Sequence, residues 1–507
     1  MHNHGKFSLV ATSTSRASSN SGVASGEPMR CARLAAGKSA EENMCTTLPS
    51  RTRRVRWLTM NDTPTHSTGT QGSTAFFTDM YELTMLDAAI KDGTAQRDCI
   101  FEVFGRRMPN ERRYGVVAGT ERVLDAITKF RFTKDQLETA DFLSPEAREY
   151  LENYKFSGQI DGYREGELYF PYSPIMTVRG TFAECVILET VLLSILNSDS
   201  AVASAASRMV SAADGRPIIE MGSRRTNEQA AVSAARATYI AGFNATSNME
   251  ASLRYGIPAS GTSAHSWTLL HVDEDGNPDE KAAFKGQIDS LGVDTTLLVD
   301  TYDITKGVEH ALEVGGTELG AVRIDSGDLG IVSRRVRKQL DEAGAFNTRI
   351  IVSSDLDEFA IAGLRGDPVD GFGVGTSVVT GSGAPTAGLV YKLVEVDGHP
   401  VAKRSSGKVT YGGGKTALRA YRSSGVAVGE VIHPLGVDVP RKPNLEYREM
   451  TVPLIRDGEI VDGQPSIEEI RELHAAARKT LPWEGLALSR GEVAIPTKFV
   501  GFPEPTE

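Results

Sequence analysis

The imidazole of His265 sits among small side chains in Gly261-Thr262-Ser263-Ala264-His265-Ser266-Trp267. The small neighbours leave room for a ligand, and Trp267 offers a stiff apolar wall. A histidine in that setting can act as acid, base, nucleophile or phosphoryl acceptor. A helix cap or a satisfied core histidine is the plainer use of the same residue. In Arg323-Ile324-Asp325-Ser326-Gly327-Asp328, alternation aims Arg323 and Asp325 to one side of a strand, and a second carboxylate follows a glycine. Such a group suits ribose hydroxyls, Mg2+ or positive charge growing on a sugar carbon, or else an N-cap beside a surface ion pair. Glu220-Met221-Gly222-Ser223-Arg224-Arg225 puts two guanidinium forks at a strand end, where they bind carboxylate or phosphate or simply face solvent. Gly373-Val374-Gly375-Thr376-Ser377 lets backbone N–H groups approach a phosphate, or makes an ordinary turn. Asp79-Met80-Tyr81 reads as a helix cap with a core aromatic, or as a platform for a ligand ring. Arg106 and Arg107, before Met108-Pro109, are a solvated edge or a phosphate clamp.

From Pro217 onward one unit recurs: a short β-branched run, a polar or glycine-rich tip, then a helix. The strand candidates are 217–221, 242–246, 257–261, 296–300, 321–325, 350–353 and 371–374. Strands alternating with helices predict a parallel sheet with helices outside it, here an irregular (β/α) barrel. In that architecture reactive groups collect at the C-terminal strand ends. The predicted tips carry Arg224, Asn244, His265, Asp300, Asp325, Ser354, Asp355, Gly375 and Thr376. A mixed α/β domain is expected over 74–181, completed by 385–507, with the barrel over 182–384. A hairpin is expected at Asp397-Gly398, and Lys403, Lys408, Lys415 and Arg419 follow it.

The formal charge of -11 argues against a dedicated nucleic-acid binder but leaves room for phosphate ligands read by local donors. Cys31, Cys45, Cys99 and Cys185 fall at no zinc-ligand spacing, which fits a reducing cytoplasm. The apolar run 185–196 is short and contains Glu189, so it reads as part of a buried helix over 182–213 rather than a membrane span. Residues 1–59 hold nine Lys or Arg against three Glu and no Asp. That segment reads as a disordered extension without catalytic role: a transit peptide, or a stretch upstream of a true start at Met60.

Taken jointly, these motifs resemble those of the nicotinate phosphoribosyltransferases. The resemblance rests on Phe77-Thr78-Asp79-Met80-Tyr81-Glu82-Leu83-Thr84-Met85, Phe101-Glu102-Val103-Phe104 with Arg106 and Pro109, Glu220 to Arg225, Gly261 to Trp267, Arg323 to Asp328, and Tyr391-Lys392-Leu393-Val394-Glu395. It spans roughly residues 74–425. It implies joining of nicotinate to 5-phosphoribosyl 1-pyrophosphate (PRPP), giving nicotinate mononucleotide and pyrophosphate in NAD biosynthesis, coupled to ATP hydrolysis. His265 matches the histidine phosphorylated by ATP. Tyr81 matches the aromatic that stacks on the pyridine ring from the partner subunit of a homodimer. Arg323 and Asp325 match residues around ring and ribose, with Asp300 added on the ribose side. Gly375 and Thr376 match the 5′-phosphate site, Ser354 and Asp355 the substrate-binding tip beside it, Arg106 the pyrophosphate, and Arg224 the nicotinate carboxylate. Mg2+ is expected to enter with PRPP, with Asp325 and Asp328 as candidate ligands. Two departures stand out. Met221 stands where the related nicotinamide enzymes stack a Phe, and Asn244 where they tend to have Asp. A neutral Asn beside an anionic substrate favours nicotinate over the alternative, nicotinamide.

Overall fold

The computed structural model describes residues 72–403 and 411–502; segment 1–59, Met60, Cys31, Cys45 and Lys408 lie outside them. Six parallel strands form one sheet in the order Ala245–Thr246, Ile218–Glu220, Gly371–Val374, Arg349–Ser354, Ala321–Ile324, Thr296–Leu298. This is a mixed α/β fold whose parallel sheet curls as a half-barrel. The predicted strand 257–261 contributes one parallel bridge, Thr246 to Ala259. The helices between strands start where the sequence supplies an oxygen for orphan N–H groups: Asn227, Asp279, Asp303 and Asp328 each cap the helix that follows. Val322, Ile324, Ile350, Val352, Phe372 and Val374 are buried in one core against those helices. They alternate with Arg323, Ser353 and Gly373, so one face of each strand packs in this core and the other is left for the groups of the site.

A seven-stranded sheet holds Asp98–Gly105 between Leu389–Val396 and Met176–Thr181, followed by Gln159–Tyr163 and Thr451–Arg456. Chain from both ends therefore shares one antiparallel ladder and a second hydrophobic core. The hairpin at Asp397-Gly398 forms, with φ of 47° and 75°, as a tight two-residue turn demands. A four-stranded sheet, centred on Lys415–Tyr421 and Ala427–Pro434, is built wholly from residues after 411.

Helix 182–213 is broken: Phe182–Val186 and Glu189–Ala213 are separate helices. The combined stretch is long and apolar enough to cross a membrane, yet 61% of its most apolar window is buried inside the protein. Ser200, Ser204 and Ser207 lie on its buried face, and their hydroxyls bond Ala118 N, Val116 N and the Tyr114 hydroxyl. A lipid-facing helix would have no use for those partners.

Candidate active site

The parallel ladder fixes the site before any side chain is considered. Leu298 pairs with Arg323, Ile351 with Arg323, Ser354 with Val374, and Val374 with Glu220. Adjacent strands lie roughly 4.8 Å apart, so groups just beyond these residues share one rim.

Asp300 lies two residues past Leu298 and is buried. Its Oδ2 accepts from Asp325 N at 3.0 Å and from Ser326 Oγ at 2.6 Å, while Oδ1 has no partner. Asp325 is held from the other side, where Ser353 Oγ donates to Oδ1 at 2.7 Å. Its Oδ2 is 4.0 Å from His265 Nε2. His265 opens the helix His265–Leu270, and its Nδ1 is 3.1 Å from Thr301 Oγ1. Arg323 Nη2 donates to Ser263 O at 3.0 Å and so ties the histidine loop to the sheet. Burial pulls the Arg323 guanidinium below its usual pKa; Asp325 and Asp300 oppose the shift and Arg224 adds to it. Arg323 stays cationic all the same, and its Nε is buried without a partner.

His265, Asp300, Arg323 and Asp325 are therefore in one cluster, and the exposed Arg224 follows the strand Ile218–Glu220, near enough for its charge to be felt at Arg323. Ser354 and Asp355 follow Ser353 on the same rim, and Ser354 has φ of 151°. A non-glycine residue there costs about 1–3 kcal/mol, strain of a kind that clusters at functional sites. Gly375 and Thr376 begin the turn after Gly371–Val374. A Cβ on Gly373 would meet Met221 Sδ at 2.7 Å, so the glycine lets Met221 lie against the strand end. Arg106 follows the strand Asp98–Gly105, its guanidinium over the Phe104 ring at 5.7 Å from the centroid. The loop after it docks beside the rim, where Asn110 Nδ2 donates to Gly383 O at 2.7 Å and Arg112 Nη2 to Gly381 O at 2.6 Å.

Two expectations need correction. Asn244 precedes the strand Ala245–Thr246, and its Oδ1 accepts from Ile218 N at 3.0 Å, at the opposite end of the sheet from the rim. It cannot read a substrate carboxylate there; Asn248 occupies the rim end instead, bonded to Ser223 Oγ at 3.0 Å. Trp267 turns its indole N–H to Ala283 O at 2.9 Å and packs on His271, so it supports the helix behind the loop. Asp328 caps the helix that follows, its Oδ1 accepting from Ile331 N at 3.1 Å. Tyr81 belongs to the helix Met80–Asp92, where burial, then Glu189 and Glu82, push its hydroxyl up to about 12. Thr301, Ser353 and the Ser263 carbonyl position the cluster and were not singled out by the sequence; Thr301 and Ser353 do adjoin residues that were.

A sequence model described as the nicotinate phosphoribosyltransferase (NAPRTase) N-terminal domain matches residues 76–197. Nicotinate phosphoribosyltransferase pncB1 of Mycobacterium tuberculosis is 58% identical over 435 residues, which cover 85% of this chain and 96% of that protein. The chain belongs to the nicotinate phosphoribosyltransferase family. Human nicotinic acid phosphoribosyltransferase is similar in structure, with a TM-score of 0.71, 25% identity, and coverage of 83% of this chain and 97% of that one. The nicotinate-nucleotide pyrophosphorylase of Pyrococcus furiosus aligns with a TM-score of 0.67 and 27% identity, over 80% and 95% of the two chains. The rim of this chain assembles an imidazole, two carboxylates and the Arg323 guanidinium just past the ends of the parallel strands.

Proposed function

We propose that this chain transfers phosphoribosyl from PRPP to nicotinate, releasing nicotinate mononucleotide and pyrophosphate for NAD biosynthesis, with ATP hydrolysis coupled to turnover. The observation that carries the reading is the His265–Asp325 approach at 4.0 Å beside Arg323 and Asp300. In this scheme the pyridine nitrogen donates its lone pair to the anomeric carbon as the bond to pyrophosphate breaks, with inversion. Asp325, with Asp300 behind it, stabilises positive charge on the ribose. Arg323 and Arg224 read the nicotinate carboxylate, whose anionic oxygens suit guanidinium forks. Gly375, Thr376, Ser354 and Asp355 hold the phosphoribosyl end, and Arg106 faces the pyrophosphate.

His265 takes a phosphoryl group from ATP in the same scheme, adding charge at the rim and favouring the PRPP-competent loop arrangement. Mg2+ suits the donors present: among the described residues no cluster of three or more potential ligands occurs, but Asp300 Oδ1 is orphaned and Asp325 Oδ2 is open. Those oxygens would hold it together with PRPP, and it would supply charge neutralisation to the leaving pyrophosphate.

The reading includes a homodimer. Phe77, Met80 and Tyr81 are 68%, 60% and 45% exposed just before and at the start of the helix Met80–Asp92, an apolar surface that a second copy would cover. Tyr81 would then reach the partner's pyridine site. It also includes an irregular barrel over 182–384 and a domain of 74–181 with 385–507; the two hydrophobic cores follow that division in the main, though Ala183 to Leu196 pack in the first core and Tyr114, Leu168 and Ala477 in the second. Cys99 and Cys185, buried and free, fit a cytoplasmic setting. The test is a competition between labelled nicotinate and nicotinamide with PRPP and ATP: label in nicotinate mononucleotide supports the reading, and preferential use of nicotinamide sinks it.

A further inference from the structure

A cavity of about 710 Å³ opens away from the rim, and none of its lining residues belongs to the cluster around His265. Its volume lies within the roughly 300–1,000 Å³ of small-molecule sites. It forms where the helix Thr120–Thr128, the strand Thr451–Arg456 and the helix Ile467–Lys479 meet, closed by Arg164-Glu165 and by residues 460–465. Leu124, Val452, Leu454, Ile470 and Leu473 give it a mostly apolar wall.

The polar groups are few and unequal in charge. Asp125 is neutralised by Lys129 at 2.7 Å, and Glu469 caps its own helix through Ser466 N at 2.8 Å. Glu165 accepts from Arg236 Nη1 at 2.6 Å and Nη2 at 3.0 Å. That leaves Glu121, 58% exposed and touching Arg236 from the cavity side, and Asp462, against a single lining cation, Arg164. An apolar chamber with surplus carboxylate suits a compact apolar body ending in an ammonium group.

The cavity is also wired to the catalytic half. Arg236 is fully buried, donates from Nε to Glu121 Oε2 at 3.1 Å, and stands over the Tyr255 ring at 5.4 Å. Its helix, Glu228–Ile240, begins just after the Arg224 loop, and Tyr255 ends the helix Met249–Tyr255 that leads towards His265. A cation at Glu121 competes with Arg236 for that carboxylate. We propose that this cavity is a regulatory site for small apolar amines, whose occupancy is felt at the rim through Arg236 and Tyr255.

The test uses the full chain and two fluorescent probes of one ring system, dansylcadaverine (an amine) and dansylglycine (a carboxylate). The expected result is saturable binding of the amine, at least tenfold tighter than the acid. Leu473→Trp, which fills the cavity from a half-buried position, should abolish it, and Glu121→Gln should weaken it at least fivefold. Saturating amine should change the nicotinate KM or kcat at least twofold in the parent protein and leave Leu473→Trp unaffected. Ile460→Trp serves as a second filling variant should the first fail to fold. Equal binding of both probes, binding that survives the filled cavity, or binding without any kinetic effect would each overturn the proposal.

Discussion

His265 Nε2 lies 4.0 Å from Asp325 Oδ2, and each partner is held from behind by a hydroxyl, Thr301 on the imidazole and Ser353 on the carboxylate. The two functional groups come from chain segments 60 residues apart, and the rim of the parallel sheet brings them together. A long contact of this kind leaves space for a phosphoryl group or a cation between them.

Gly373→Ala tests how closely the rim is fitted. The new Cβ would meet Met221 Sδ at 2.7 Å and Ser353 Cβ at 3.1 Å, displacing the hydroxyl that holds Asp325. Overpacking of this sort costs about 1–3 kcal/mol. The expected outcome is a lowered kcat with a smaller effect on thermal stability, read by steady-state kinetics beside a melting curve.

Arg323→Lys keeps the charge but loses the fork that holds Ser263 O and, in our scheme, the nicotinate carboxylate. A hydrogen bond to a charged group is worth about 1.5–3 kcal/mol, so kcat/KM for nicotinate should fall roughly 10- to 100-fold. Unchanged kinetics would remove Arg323 from the site.

Arg419→Met addresses the fold. The buried Arg419 guanidinium bonds Glu430 Oε2 at 2.6 Å, Glu167 Oε1 at 2.7 Å and Leu168 O at 2.7 Å, tying the four-stranded sheet to the loop at 165–168. Its loss leaves the buried Glu430 without a counter-charge, while Glu167 keeps Arg448 at 2.7 Å, and stability should drop by about 3–5 kcal/mol in denaturant titration.

His474 contributes a pH dependence. It is buried, bonded to Gly166 O at 2.9 Å and Ser207 Oγ at 3.0 Å, and burial lowers its pKa to about 4. The unfolded chain takes up this proton near its ordinary value of 6.5, the folded chain only near 4. Between those limits the unfolded state binds more protons, so this contribution is full above 6.5, falls as the pH drops, and levels off below 4. The shift corresponds to about 3 kcal/mol. His474→Gln should flatten that portion of the stability curve relative to the parent; parallel curves would contradict the assignment.

Much of this was legible in the sequence because strands such as Ala321–Ile324 and Arg349–Ser354 are short β-branched runs followed by a polar tip. Arg323 and Asp325 could be assigned to one side from alternation alone. Asn244 was misplaced for a physical reason: its strand is only Ala245–Thr246, and two residues carry no period from which to tell its beginning from its end. Thr301 and Ser353 are hydroxyls whose value lies entirely in what stands opposite them on neighbouring strands. The four-stranded sheet after 411 likewise depends on non-local pairing, such as Glu430 with Thr497. The break at Ile187-Leu188 has no proline or glycine to announce it.

The most direct measurement is to incubate the enzyme with γ-labelled ATP and map the protein-bound phosphate. The account predicts an acid-labile label on His265, absent from His265→Asn, in which ATP stimulation of transfer should fall by about 5- to 150-fold, the size of an ordinary coupling free energy. Label on another residue, or ATP hydrolysis in His265→Asn that still keeps step with product, would contradict it.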